Sequence, residues 1–320
     1  MTLAKFGGIF AVVGALVAGP AYGAEYPART VTISVGYAAG GGMDLAARFF
    51  ASKFSEMSGQ QFIIANRPGA GGNLAAREVA AAKPDGHQLL WAPTATFAAN
   101  PILFKDLPYD PIGSYELVST VVEYGFLLVT RADSPASSVA ELKTLLAAKP
   151  KATYGSLGST TMAMASHFKS LAGIQAQYVT YKAMQEVIRD VSAGDLDFAI
   201  VDVPYGIQHA KTGRLKILGV TLPRRMSMAP DIPTLSEAGV PGFDVTGWMA
   251  LAAPAGTSPD TIEALRSWLG KAMADPETQK FLHDNYYESF MLKPAETRQF
   301  LRAQKEKWRS LITAAGIKPY

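Results

Sequence analysis

The sequence predicts an α/β fold built from two units, in each of which strands alternate with helices. One indication is the alternation of short β-branched segments with amphipathic segments over residues 31–91, and a second is the same alternation over residues 125–220. Connections of this kind place neighbouring strands parallel, with helices on the faces of the sheet. A third indication is length, because removal of an N-terminal segment of 23 residues leaves 297 of the 320 residues, and a domain takes about 150.

The first unit begins with a β-branched strand at residues 31–37, which runs into the glycine turn Ala38-Ala-Gly-Gly-Gly42. The segment after the turn carries Phe50 and Phe54 at helical spacing. The predicted order is therefore strand, glycine turn and amphipathic helix. The unit continues with a strand at 62–65, a helix at 74–82 and a strand at 88–91.

The second unit begins with a strand at residues 125–130 and has apolar stripes of its own. Further strands are predicted at 153–155, 177–181, 198–201 and 215–220. The helices between them are marked by Val139, Leu142, Leu145 and Leu146, by Met164, Phe168 and Leu171, and by Met184, Val187, Ile188 and Val191.

A final strand at residues 245–252 precedes three predicted helices. The pairs Ser258-Pro259 and Asp275-Pro276 each supply an N-cap residue and a first-turn proline, and a last long helix opens at Pro294.

The first 23 residues have the order of a secretory signal peptide. Lys5 is followed by an uncharged run over residues 6–20, and Ala21 and Gly23 place small residues at the positions that determine cleavage. Pro20 and several glycines interrupt the run, which disfavours a membrane anchor, because a spanning helix needs about 20 strongly apolar residues. We expect cleavage after Gly23 and export to the periplasm as a soluble protein.

The chain contains no cysteine and has a formal net charge of +3. Without cysteine it can form no disulfide, no thiolate metal cluster and no catalytic thiol. A charge so close to neutral argues against a nucleic-acid partner, because phosphate neutralisation requires a clustered basic surface. No cofactor or metal is expected.

Three turns that contain glycine precede predicted helices, at residues 39–44, 68–73 and 155–161. A helix start exposes unpaired N–H groups and the positive end of the helix dipole, and glycine lets a ligand approach the backbone. For any one turn alone, an ordinary tight turn is the simpler interpretation. Two such turns in separate units predict a cleft that could clamp one anion from both sides.

Nucleotide-binding and catalytic motifs fit the sequence less well. No Gly-x-x-x-x-Gly-Lys-Ser/Thr segment occurs, and the first glycine turn lacks the Gly-x-Gly-x-x-Gly spacing. The four histidines show no metal-ligand spacing, and Lys182 alone is weak support for Schiff-base chemistry. An exported serine hydrolase using Ser156 or Ser159 is an open alternative, although Tyr154 stands where a nucleophile elbow has its first glycine.

Many short motifs occur in one order along the chain and carry a family resemblance. They are Tyr26-Pro27, Ala39-Gly-Gly-Gly-Met-Asp44 with Arg48, Asn66-Arg-Pro-Gly-Ala-Gly-Gly72, Pro84-Asp85-Gly86, Leu107-Pro-Tyr-Asp-Pro111, Tyr181-Lys182, Gly194-Asp-Leu-Asp197, Gly213-Arg-Leu-Lys216 and Pro230-Asp-Ile-Pro-Thr234. With these motifs the sequence closely resembles the substrate-binding proteins of tripartite tricarboxylate transporters, the Bug family of periplasmic receptors.

The resemblance implies a bilobed periplasmic-binding-protein fold of type II, in which two α/β lobes are joined by two crossing strands. The crossings are expected near residues 126–130 and 245–250. Lobe one would comprise residues 26–125 and 247–320, and lobe two residues 126–246.

In this family a small carboxylate lies in the interlobe cleft, held by two loops that correspond here to residues 37–44 and 156–162. The residues that we expect to contact the ligand are Tyr37, Ala39, Gly40, Gly41, Gly42, Met43, Asp44, Thr94, Ser156, Gly158, Ser159, Thr160, Thr161, Met162, Tyr181 and Asp202. Met43 and Met162 stand where the family commonly has polar residues, which predicts a more apolar and adaptable pocket than citrate requires. We expect a di- or tricarboxylate or an aromatic acid.

The role implied is that of a receptor, not an enzyme, which delivers its ligand to membrane transporter subunits. We expect it to act as a monomer. A ligand sensor that docks on a signalling receptor is an alternative that the sequence does not separate from this role.

Overall fold

A computed structural model of the protein describes residues 26–181 and 183–319, apart from the side chains at positions 158 and 159. The predicted signal peptide at residues 1–23 and Lys182 lie outside the described residues. Within them the chain forms a six-stranded and a five-stranded sheet, each covered by helices. This is the predicted bilobed periplasmic-binding-protein fold, with two α/β lobes joined by crossing strands.

The six-stranded sheet combines parallel and antiparallel strands. Its members are β1 (Val31–Val35), β2 (Phe62–Asn66), β3 (Gln88–Pro93), β4 (Tyr115–Tyr124), β10 (Gly247–Pro254) and β11 (Glu288–Ser289). They lie in the order β11-β4-β10-β3-β1-β2. Strand β1 is parallel to β2 and β3, whereas β10 is antiparallel to both β3 and β4.

The five-stranded sheet has three parallel strands on one side and two strands in antiparallel pairing on the other. Its members are β5 (Phe126–Arg131), β6 (Thr153–Leu157), β7 (Gln177–Tyr181), β8 (Phe198–Asp202) and β9 (Leu215–Val220). They lie in the order β7-β6-β8-β5-β9. Strand β6 is parallel to β7 and β8, and β5 is antiparallel to β8 and β9.

Ten α-helices occur in the described part of the chain. They are α1 (Gly42–Ser58), α2 (Asn73–Ala80), α3 (Asn100–Leu103), α4 (Val139–Ala147), α5 (Gly158–Ala172), α6 (Met184–Ala193), α7 (Val203–Lys211), α8 (Pro259–Ala274), α9 (Pro276–Asp284) and α10 (Thr297–Ala314). Among these described helices, none combines the length and apolar character that crossing a bilayer requires.

Strand β5 shows how the second core is built, because it is buried on both faces. Phe126 and Leu128 point into one apolar cluster, and Leu127 and Val129 point into another on the opposite face. The alternation follows from the two-residue period of a strand. Helices on both faces supply the apolar stripes that complete these clusters.

The chain passes from the first sheet to the second at a single residue, Gly125, between β4 and β5. A Cβ atom at this position would lie 2.8 Å from Leu222 Cγ and from Val220 Cγ2, so only glycine fits without displacement. The chain returns between β9 and β10. Helix α10 contributes Leu301 to a cluster of the first sheet and Trp308 to a cluster of the second, so it packs against both lobes.

Most predicted elements are confirmed, and the exceptions have physical causes. No strand was predicted at β4, whose buried Ser119, Thr120 and Glu123 interrupt the apolar run. Helix α7 was also missed, because Pro204 and Gly206 both oppose helix formation in most contexts. Pro204 is tolerated because it lies in the first turn, where its missing N–H costs nothing.

Candidate functional site

In each sheet, one strand is flanked on both sides by the two strands that come next in the chain. Strand β1 has β2 on one side and β3 on the other, and β6 has β7 on one side and β8 on the other. Connections therefore leave these strands in opposite directions and open a crevice, which is where ligands of open α/β sheets bind. The loops that follow β1 and β6 are the positions at which the fold favours a site.

The loop after β1 enters α1 through three glycines. Gly40 has a φ of 84°, a left-handed conformation that favours glycine, and Gly41 is an N-cap without a side-chain acceptor. In the first turn the amides of residues 42–44 have no intrahelical acceptor and lie at the positive end of the helix dipole. A Cβ atom at Gly41 would meet only the Ala38 carbonyl oxygen, at 3.8 Å. The start of α1 is therefore an open backbone surface suited to an anion.

Asp44 holds this loop in place. Its Oδ2 accepts hydrogen bonds from the Gly40 amide at 2.8 Å and from Arg48 Nε at 2.9 Å, and its Oδ1 accepts one from Asn66 Nδ2 at 2.9 Å. Burial alone would raise the pKa of this carboxyl, but the donors outweigh burial and lower the pKa below its usual value. Asp44 is thus an ionised brace of the loop, and the Gly40 amide already has an acceptor.

The second glycine turn packs against the first loop. A Cβ atom at Gly36, just after β1, would lie 2.5 Å from the Gly72 Cα. Asn100 fixes the turn by donating to the Gly71 carbonyl oxygen at 3.0 Å and to Asn73 Oδ1 at 2.7 Å. This contact requires glycine at position 36, and the φ of 91° favours glycine at position 72, so the second turn supports the β1 loop closely.

In the second sheet, β6 leads directly into α5. The N-cap is Leu157, which offers no side-chain acceptor, so the amides of residues 158–160 also form an uncapped first turn. Thr161 is buried, and its hydroxyl donates to the Leu157 carbonyl oxygen, whereas Thr160 is half-buried. Gly158 and Ser159 are both predicted contacts, and only their backbone belongs to the described part of the structure.

Apolar side chains flank both helix starts. Met43 lies in the first turn of α1 and packs against the core of the first sheet, and Met162 lies early in α5. Both are half-buried, while Ala39 in the loop before α1 is exposed. A flexible thioether beside each helix start could accommodate the apolar body of a ligand.

Asp202 lies at the carboxyl end of β8, next to β6 in the sheet, and is the N-cap residue of α7. Burial raises the pKa of its carboxyl to about 6. Within residues 26–181 and 183–319 no hydrogen bond or ion pair reaches this carboxyl group. Asp202 is therefore a largely desolvated acid without a compensating charge in the described structure.

Two tyrosines of the first lobe face Asp202. Tyr124 ends β4, and Tyr287 lies between α9 and β11. Burial raises the pKa of both phenols, to about 12 for Tyr287, and the Asp202 carboxylate raises both further. Strand pairing places Asp202 opposite Phe126, and the Tyr124 ring lies 5.7 Å from the Phe126 ring and 6.1 Å from the Tyr287 ring, so the three residues form one cluster. Tyr124 ends a strand of the first sheet and Asp202 ends a strand of the second, so the cluster lies where the chain crosses between the sheets.

Two further contacts connect this cluster to the glycine loops. A Cβ atom at Gly42 would lie 2.7 Å from Tyr287 Oη, which places that hydroxyl at the start of α1. Tyr37 follows β1, and its ring would lie 3.4 Å from a Cβ atom at Gly72. Burial raises the pKa of Tyr37 to about 12. Tyr287 therefore connects the first turn of α1 to the cluster with Tyr124 and Asp202, and Tyr37 packs against the second glycine turn.

Two of the predicted contacts have hydroxyls that are engaged within the protein. The Thr94 hydroxyl accepts from the Trp248 amide at 2.8 Å and donates to its carbonyl oxygen at 3.2 Å. The Tyr181 hydroxyl donates to Asp190 Oδ2 at 2.8 Å. Both residues help to shape the edge of a sheet, and a contact of either with a ligand stays a prediction.

Ser156 is fully buried in β6, and its hydroxyl lies 3.4 Å from the Tyr178 hydroxyl. A serine nucleophile needs a base within hydrogen-bond reach. In the described residues no hydrogen bond joins Ser156 to a histidine, and His167 packs instead against Phe243. The geometry around Ser156 gives no support to a serine hydrolase.

Sequence reasoning missed Tyr124 and Tyr287. Tyr124 directly precedes Gly125, the crossing between the sheets, so a correct placement of that crossing could have found it. Tyr287 lies in a segment without helical or strand periodicity, and no local signal indicates its position. Tyr287 reaches the cleft through contacts with residues distant in sequence.

Comparisons with known proteins show the family and the fold of the chain. Residues 46–317 match the family model described as the tripartite tricarboxylate transporter family receptor. A UPF0065 protein of Bordetella bronchiseptica is 32% identical over 298 residues, which covers 92% of this chain and 88% of that protein.

Two solved structures share the fold over almost the whole chain. An R. palustris protein with adipate has a TM-score of 0.82 at 29% identity and covers 92% of this chain and 100% of its own. The periplasmic binding protein BugD has a TM-score of 0.78 at 27% identity, with the same coverage of 92% and 100%.

Proposed function

The chain belongs to the tripartite tricarboxylate transporter receptor family, and on that premise we propose that it captures a small organic carboxylate for delivery to membrane transporter subunits. It is a solute-binding receptor, so no covalent chemistry is required of it. The ligand proposed is a di- or tricarboxylate or an aromatic acid, and the site is the cleft between the two sheets.

One observation carries the proposal. Helix α1 follows the inner strand β1, helix α5 follows the inner strand β6, and neither helix start has a capping side chain. The amides at the start of α1 and those at the start of α5 could each donate to a carboxylate oxygen. No arginine is needed, because helix dipoles and backbone N–H groups together supply the positive potential. The bound R. palustris relative, with its adipate, is compatible with this chemistry.

We assign lobe one to residues 26–125 and 247–320 and lobe two to residues 126–246. Contacts that the ligand makes with both lobes exist only when the cleft is closed, so binding shifts the protein toward the closed form. We propose that the transporter recognises this closed form. The receptor would be exported to the periplasm by the signal peptide at residues 1–23 and would act as a monomer.

A thermal-shift screen of mono-, di- and tricarboxylates, including aromatic acids, tests the proposal. A ligand at 100 times its dissociation constant should stabilise the protein by about 2.7 kcal/mol. If no carboxylate raises the melting temperature while an amine or a sugar does, the carboxylate site is wrong.

The variant Gly41→Val should abolish the shift, because a branched side chain would cover the start of α1. Its φ of −80° is accessible to valine, so folding should be retained. Gly270→Val is a matched control, since nothing lies within 4 Å of a Cβ atom at that position in α8. It should bind as the unmodified protein does.

A further inference from the structure

The carboxyl group of Asp202 has no hydrogen-bond donor among the described residues. It is an N-cap residue, and an N-cap side chain ordinarily accepts a hydrogen bond from the second or third amide of its helix. Here the carboxyl makes no such bond. Pro204 occupies the second helical position and has no N–H to offer, which removes one of the two usual donors. The carboxyl group therefore remains able to accept a hydrogen bond from a ligand.

The hydroxyls of the two tyrosines in this cluster also make no hydrogen bond in the described residues. In residues 26–181 and 183–319 no hydrogen bond reaches the hydroxyl of Tyr124 or of Tyr287. Both phenols are protonated at neutral pH, since an ordinary phenol has a pKa of about 10 and burial raises the pKa of these two further. The three residues are half-buried, and polar groups in such a position that have no partner in the described protein are ones that a ligand can satisfy.

The position of Tyr287 brings this cluster into the proposed carboxylate site. Its hydroxyl lies at the first turn of α1, beside Gly42, and its ring contacts Tyr124, whose ring in turn contacts Phe126, the strand partner of Asp202. A ligand whose carboxylate lies on the α1 amides would therefore have another part of its structure near Asp202. Two carboxylates in one desolvated site repel each other, and the described structure shows no cation there to offset the repulsion.

We propose that Asp202, with the hydroxyls of Tyr124 and Tyr287, selects the second polar group of the ligand, and that this group is a hydrogen-bond donor such as an ammonium or a hydroxyl. This inference rests on the proposed carboxylate receptor function and changes the expected ligand class, because a donor group takes the place of a second carboxylate. An ammonium or hydroxyl would pair with the Asp202 carboxylate, whereas a second carboxylate of the ligand at the same place would meet a like charge. The preferred ligand is then an amino or hydroxy acid, not a simple diacid.

Titration calorimetry at pH 7.5, on the protein expressed from its full sequence, tests this inference. The probes are sets of acids of four to six carbons that share one carboxylate and differ at the far end, which carries a methyl, hydroxyl, ammonium or carboxylate group. At the chain length that binds best, the hydroxy or amino acid should bind at least about tenfold more tightly than the diacid.

Asp202→Asn should remove this preference, because the amide keeps the shape of the side chain and loses its charge. Asp133→Asn is the matched control, since Asp133 lies in the same lobe and its side chain is 77% exposed. It should leave the preference unchanged. Tyr287→Phe should weaken every acid that binds, because it removes a hydroxyl from the start of α1, and circular dichroism establishes that each variant is folded.

Tighter binding of the diacid by the unmodified protein would overturn the inference, and so would an unchanged preference in folded Asp202→Asn. A different failure is recognisable: if the methyl-ended acids and all the others fail to bind, the carboxylate clamp itself is contradicted. Binding of methyl-ended acids with no discrimination at the far end would retain the clamp and refute the role of Asp202.

Discussion

The hydroxyl of Tyr287 lies against Gly42, the first residue of α1, at a distance of 2.7 Å from the place where a Cβ atom would stand. This contact joins a residue near the end of the chain to the glycine loop near its beginning. It also explains why the loop continues with glycine into the helix, because any side chain at position 42 would displace the phenol.

Gly42→Ala should therefore weaken carboxylate binding. The added methyl group must push Tyr287 aside, and the loss of one hydrogen bond of about 1 kcal/mol corresponds to roughly a fivefold increase in the dissociation constant. Gly270→Ala is the control, because nothing lies within 4 Å of a Cβ atom at that position in α8. Equal affinities for the two variants, measured by calorimetry, would show that Tyr287 contributes nothing to binding.

Gly36→Ala should destabilise the fold. Its methyl group would lie 2.5 Å from the Gly72 Cα, and backbone cannot move aside as the end of a flexible side chain can. We expect the free energy of unfolding to fall by about 2 kcal/mol, measured by urea denaturation. Gly270→Ala, in open space on α8, should instead gain up to about 1 kcal/mol from helix propensity. Similar values for both would contradict the close packing of the two turns.

Asp44→Ala should loosen the loop before α1. It would leave the Gly40 amide, Arg48 and Asn66 without their acceptor, at a cost of about 3 kcal/mol in the free energy of unfolding. Because the pKa of Asp44 is lowered in the folded protein, its contribution is present above the unfolded pKa of about 3.9 and is lost as the pH falls below it. The difference from the unmodified protein should shrink on acidification, and a constant difference would contradict this assignment.

Asp202 should have the opposite pH dependence. Its pKa is about 6 in the folded protein, against about 3.9 when unfolded, so the folded state binds the proton more tightly. Stability should fall as the pH rises from about 4 to about 6 and then level off, by an amount on the order of 2 kcal/mol. Asp202→Asn should lack this decline. Urea denaturation across this range measures it, and parallel curves for the two proteins would show that Asp202 is not desolvated.

The regular parts of both lobes could be predicted from local pattern. Strands such as β1 and helices such as α6 carry their periodicity in adjacent residues, and the glycine turns mark where helices begin. Strand β4 could not be recognised in this way, because its polar residues are buried by elements far away in sequence. Helix α7 tolerates glycine in its interior for a tertiary reason, since a Cβ atom at Gly206 would lie 2.7 Å from Leu127 Cδ1.

The candidate site also has one part that could be predicted from local sequence and one part that could not. The backbone surface at the two helix starts follows from the sequence, because glycine and the absence of a capping side chain are local features. The cluster of Tyr124, Tyr287 and Asp202 does not, because it forms only when segments from both lobes meet. The two helix starts that bind the carboxylate can therefore be predicted from sequence motifs. The cluster that we propose selects the rest of the ligand can be identified only from the folded structure.

The central claim is that one carboxylate is held between the start of α1 and the start of α5. Amide chemical shifts in a ¹H–¹⁵N NMR titration with a binding carboxylate test it most directly. We expect the largest chemical-shift changes at the amides of residues 41–43 and of residues 158–160 together. We expect Gly41→Val to remove the changes in both loops. Changes confined to one of these loops, or the largest changes elsewhere, would contradict it.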